Sequence, residues 1–227
     1  DEVSKKPTDL NVSLLAAGNV VVSTALQTLN INPITTVAAL KAGFKASTDG
    51  TSVVANTDTA LVTTINTANT AVAKALLGST ASAADLLTTE VKPTVNLNGS
   101  PNGSANLYGK MLAVLSGMDS ANGGNVSQTL STLVTGIDSS GTLSSTLQTA
   151  VKSAATTAGV VVSELPSSAT GGSSTSGDNT SGGGSTGGGS STSGGDLGLS
   201  KRQFRSTAIT VGQSNHAWNV VQGHTDV

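Results

Sequence analysis

The residues that could do chemistry are few and scattered. His216 and His224 lie eight positions apart with Asp226 close by, a set that matches no structural zinc spacing and reads as exposed tail. Asp119-Ser-Ala-Asn-Gly-Gly carries oxygens and glycines as calcium loops do, which makes Asp119 and Asn122 the calcium candidates. The alternating Asp/Asn spacing that aims ligands inward is missing there, and helix capping accounts for the same residues. Cysteine is absent, so disulfides and thiolate sites are excluded. A hydrolase needs a base beside its nucleophile. The region before the Gly/Ser run has no histidine, and Lys74 and Lys110 read as solvated helix residues. Asp85, Glu90, Asp119 and Asp138 could supply a carboxylate pair, but no spacing sets two at a glycosidase separation, and aromatic sugar platforms are scarce. Threonine arrays of the ice-binding kind need Thr-X-Thr on strands, whereas most threonines here fall on polar helix faces. The sequence therefore predicts no catalytic residue, no cofactor beyond the calcium candidate, and no enzyme.

The elements that would position such residues are built from small apolar side chains. Only 11% of residues are charged and 2% aromatic, so the core must come from Ala, Val, Leu and Ile. The clearest periodicity runs over residues 106–136, where Leu107, Met111, Leu115 and Met118 recur at helical spacing and Val126, Leu130, Leu133, Val134 and Ile137 repeat it. Between the two series, Gly123-Gly124 suits a helix stop, and Asn125 with Gln128 suits a capped start. Two amphipathic helices joined by a tight corner are predicted.

Elsewhere, residues 10–31 hold the β-branched run Val20-Val21-Val22 after Gly18-Asn19 and read as two short strands. Asn32-Pro33 marks a helix start, with Val37, Leu40 and Phe44 on its buried face to about Ala46. A turn at residues 48–52 precedes a longer helix from Asn56, with Leu61, Ile65, Ala68, Val72 and Leu76 on one stripe and Gly78 as cap. A short helix near residues 82–89, a loop over 92–104, and a last helix carrying Leu143, Leu147, Val151 and Ala154 follow. Residues 160–165, Val-Val-Val-Ser-Glu-Leu, read as one more strand ended by Pro166. The predicted class is mainly α (α+β), a compact multi-helix domain over residues 1–166 with N-terminal strands.

Residues 167–195 read as a flexible linker, since an almost pure Gly/Ser/Thr run cannot bury enough apolar surface to offset its ordering entropy. The tail, residues 196–227, differs in composition. Residues 204–211 and 217–221 alternate as a β-hairpin would, which nominates Phe204, Ile209, Val211, Trp218 and Val220 as an assembly interface. The small basic cluster Lys201, Arg202 and Arg205 reads as a solvated strand edge. A net charge of −2 gives no electrostatic reason to expect nucleic acid or an acidic membrane as partner. No apolar run approaches the roughly 20 residues needed to span a bilayer. The start at Asp1 fits a chain whose signal has been removed or one excised from a longer protein.

Asn32-Pro-Ile-Thr-Thr36, the segment 65–78 and the segment 106–125 together resemble a helical module that recurs in large secreted surface proteins of proteobacteria, adhesin-like and biofilm-matrix-like. The resemblance covers roughly residues 10–159. It implies that the Asn-Pro-Ile-Thr motif follows a strand, that the protein is extracellular at the cell surface, and that no catalytic residue carries over. The expected function is structural: self-assembly into a fibre or matrix by strand addition between copies, with a glycan-binding adhesin module as the other expectation and Tyr108 or Trp218 as its stacking surface.

Overall fold

A computed structural model describes residues 3, 12–18, 29–45, 59–96, 100–172 and 219–223. The protein is mainly helical. In chain order come strand β1 (Leu14–Gly18), helices α1 (Pro33–Lys41), α2 (Thr59–Leu77), α3 (Ala83–Thr88), α4 (Leu107–Ala121), α5 (Val126–Gly136) and α6 (Ser145–Thr157), a 3-10 turn (Val162–Glu164), α7 (Ser167–Thr170) and strand β2 (Asn219–Gly223). The backbone of β2 runs antiparallel to β1, with Ala16 opposite Val221 and Ala17 opposite Val220.

Local chemistry sets most helix boundaries. The Asn32 side chain accepts from the Ile34 and Thr35 amides, and Pro33 takes the first helical position, where its missing N–H is no loss. Ser82 and Asp85 close a reciprocal capping box on α3. Asn106 and Asn125 cap α4 and α5, accepting from Gly109 and Gln128. The corner between those two helices is closed by the Gly124 N–H donating 2.9 Å to the Asp119 carbonyl. Both helices of the strongest periodicity therefore form where expected.

Helix α4 is the axis of the domain. Tyr108, Met111, Leu112, Val114, Leu115 and Met118 are all buried, and they join one core with residues of α1, α2, α3, α5 and α6. A smaller cluster packs Leu15 and Ala17 of β1 against Ala39, Ala42, Ile65 and Ala68. The small-residue composition lets helices approach closely. A Cβ added to Gly117 would stand 2.3 Å from the Ala154 carbonyl oxygen of α6, so backbone meets backbone at that crossing.

Some expectations differ from the structure. Helix α1 stops at Lys41 rather than near Ala46, because Gly43 turns left-handed at φ 92. The Phe44 N–H then reaches back to the Ala39 carbonyl and the Gly43 N–H to that of Leu40, a Schellman closure that leaves Phe44 outside the helix. Residues 160–165 form no strand. The Val160 amide donates to the Ala155 carbonyl and the Glu164 and Leu165 amides to the Val161 and Val162 carbonyls, so local bonds take main-chain groups a ladder would need. Helix α7 packs on α2 and α6 and buries Ala169, which carries the core past Pro166. Leu14–Gly18 is extended as the strand reading of residues 10–31 expects. Residues 19–28 of that reading, the turn at 48–52, most of the linker, the basic cluster at 201–205 and most of the tail lie outside the described residues.

The Gly117 crossing is directly testable. Gly117→Ala should cost about 1–3 kcal/mol through overpacking, since the atoms it meets are main chain and cannot rotate away. Thermal unfolding followed by circular dichroism should show a clear fall in melting temperature, and an unchanged transition would mean α4 and α6 do not cross that closely.

Candidate assembly interface

Strand β1 is held from one edge by side chains. The Leu15 N–H donates 2.8 Å to Thr36 Oγ1. The Leu15 carbonyl accepts from Thr35 Oγ1 at 3.0 Å, and the Ala17 carbonyl accepts from Asn69 Nδ2 at 2.8 Å. All three side chains are buried, at 1% exposure or less. The two threonines also have a second duty at the start of α1: Thr36 Oγ1 donates 2.8 Å to the Asn32 carbonyl, and Thr35 Oγ1 accepts from the Asn32 N–H at 3.0 Å. Helices α1 and α2 therefore supply along one edge of β1 what a neighbouring strand supplies in a sheet. Main-chain groups alternate in direction along a strand, so those of Leu14, Ala16 and Gly18 face the other edge, where β2 runs.

Behind this edge lies a buried polar network. Asn32 Nδ2 donates 3.0 Å to the Tyr108 hydroxyl, which donates 2.9 Å to the Leu86 carbonyl. Asn30 donates 2.7 Å from its main chain to Leu87 and 2.7 Å from its side chain to the Thr89 carbonyl. Burial pushes the Tyr108 hydroxyl well above its usual range. At 2% exposure it has no face to offer a sugar, which removes it as a stacking surface.

The other sequence candidates divide between local caps and undescribed residues. Asp119 lies 3.5 Å from Thr129 Oγ1, and Asn122 Nδ2 donates 2.8 Å to the same hydroxyl, so the two calcium candidates close the α4–α5 corner through Thr129. Asn122 turns its amide nitrogen to that bond. No group of three or more His, Cys, Asp or Glu that could hold a metal occurs among the described residues. Burial raises the Asp119 carboxyl above its ordinary value, and that one long bond from Thr129 offsets it only in part. Asp85 is engaged by Ser82, and Asp138 by the amides of Ser140 and Thr142; both carboxyls are held below their usual range by the Ser82 and Ser140 hydroxyls first. Lys110 faces Glu164. Phe204, Ile209, Val211 and Trp218 lie outside the described residues, and Val220 falls in β2 opposite Ala17.

Thr35, Thr36 and Asn69 did not stand out in the sequence. The signals were there in weak form: two hydroxyls one residue after an Asn-Pro cap, and an asparagine inside the apolar stripe of α2, next to Ala68. No protein-family model matches the chain, and no curated protein or solved structure does either.

Two measurements follow from this geometry. Thr36→Val keeps the shape but leaves the buried Leu15 N–H unpaired, which should cost about 1–3 kcal/mol in urea unfolding. Thr36→Ser, which keeps the hydroxyl, should recover most of that; equal losses in both variants would exclude the hydroxyl as the cause. For Asp119 the folded-state pKa is raised, so its protonated form is favoured by folding. Its contribution is present below the unfolded value of 3.8 and is lost as pH rises through the folded value. Asp119→Asn should therefore be more stable than the parent at neutral pH, with the gap closing in acid, as read by urea midpoints across pH.

Proposed function

We propose that this is a non-enzymatic, extracellular structural protein that assembles with copies of itself into a fibre or matrix at a cell surface. The observation that carries this reading is the edge of β1. A strand fixed by buried side chains along one edge and paired with another strand along the other is the geometry by which an added strand gains affinity from backbone groups. The engagement of Asp85, Asp119, Asp138 and Lys110 in caps and pairs supports a structural role over hydrolysis. The extracellular setting rests on the cysteine-free, Ser/Thr/Gly/Asn-rich composition and on the resemblance to secreted surface modules. No helix among the described residues is long and apolar enough to cross a membrane. The glycan-binding reading now rests on Trp218 alone.

Electron microscopy and sedimentation of the full chain beside a version ending at Gly172, which keeps the buried Ala169 of α7, test the proposal. Large assemblies should form with the full chain and not with the shortened one. If both stay monomeric at high concentration, self-assembly through the tail is wrong, and a glycan array with Trp218→Ala as control becomes the next measurement.

A further inference from the structure

We propose that β1 is a single-strand acceptor whose occupant in the assembled state is the Asn219–Gly223 segment of a second copy of this chain. The inference rests on the self-assembly reading above and names the two surfaces that would join. Four observations carry it. The edge of β1 toward α1 and α2 is closed to any strand, because Thr35, Thr36 and Asn69 already hold its main-chain groups. The acceptor is held independently of β2, since Leu15 and Ala17 pack on Ala39, Ala42, Ile65 and Ala68 and are hydrogen-bonded to side chains of α1 and α2. A rigid edge binds a strand without having to be ordered first.

The edge also carries none of the usual guards. Natural edge strands are blunted by Lys, Pro or inward-pointing charge. Leu-Leu-Ala-Ala-Gly has none of these, and Asn-Val-Val-Gln-Gly of β2 carries no charge to oppose pairing. Such an edge is built to be covered. Finally, Asn219 lies 47 positions beyond Gly172 (219 − 172), the last described residue of the helical part. That length of chain reaches at most about 155–170 Å, several times the ~16 Å radius of gyration of a domain of this size. A neighbour's slot is therefore within reach as well as the chain's own.

Within one chain the strand closes on its own β1. A tethered segment has an effective concentration on the order of millimolar, so exchange between copies sets in at local densities of that order. One strand given and one accepted per copy produces an unbranched series.

The absence of native cysteine makes the test clean. Full-length Ala17→Cys and Val220→Cys, which stand opposite in the register, are mixed at roughly millimolar concentration with a glutathione redox buffer, and disulfides are read on a non-reducing gel. Sedimentation of the parent chain is run in parallel. The mixture should give a heterodimer at least tenfold above either variant alone, and the double variant a covalent ladder. Ala17→Cys with Val221→Cys, one residue out of register, should give far less. Leu14→Cys with Gly223→Cys repeats the test at a less buried position should Ala17→Cys fail to fold. Disulfides formed only within single chains overturn the second-copy occupant. Assemblies in sedimentation without any heterodimer overturn β1 as the acceptor while leaving self-assembly standing. No assemblies at all overturn both.

Discussion

The carboxamide of Asn32 is where the main directional forces of this domain meet. Its oxygen accepts from the amides of Ile34 and Thr35 and so starts α1, while its nitrogen donates to Tyr108 of α4. Its main-chain N–H donates to the Thr35 hydroxyl, and its carbonyl receives the hydroxyl proton of Thr36. Through those hydroxyls it fixes β1, and through Tyr108 it fixes the carbonyl end of α3. A core of alanine, valine and leucine gives burial without much shape, because the hydrophobic effect has no direction. A fully satisfied buried polar network supplies the missing specificity, and a half-satisfied one would be costly. The Asn-Pro pair is thus a helix cap locally and a junction of strand and three helices globally.

The surface extends the same economy. Threonines on the helices turn their hydroxyls back to the carbonyl four residues earlier, as Thr64, Thr132, Thr149 and Thr157 do. Such back-bonding satisfies the hydroxyl at the helix itself rather than with partners across the fold. With few charges to form ion pairs, only Lys92–Glu90 and Lys110–Glu164 appear among the described residues. Neither is well buried, so each adds little. Stability rests on close helix contact, which explains why α4 places glycine against the Lys92 carbonyl at Gly109 and against Ala154 at Gly117.

How much of this was legible in the sequence depends on whether the deciding interaction is local. The starts of α1 and α5 are read correctly because a cap and the amide it satisfies lie within three residues, while α4 is read from its apolar periodicity and the Asn106 and Ser82 caps come only with the structure. The central corner is legible for the same reason. Residues 160–165 mislead, because their β-branched run has high strand propensity but pairs with no strand among the described residues, and tertiary context decides. The far end of α1 is misplaced because Phe44 fits the periodicity although Gly43 has already turned the chain. Thr35, Thr36 and Asn69 are hidden by composition: identical residue types cover the exposed faces, and only the three-dimensional placement of β1 tells these three apart.

Tyr108 has one more consequence. It is the sole tyrosine, locked into the middle of the helical core, while the sole tryptophan, Trp218, adjoins β2 in sequence. Nature has thereby labelled the two parts of the chain with different chromophores. Tyrosine emission reports on the core alone, tryptophan emission on the tail alone, and energy transfer from one to the other measures their separation without any added dye.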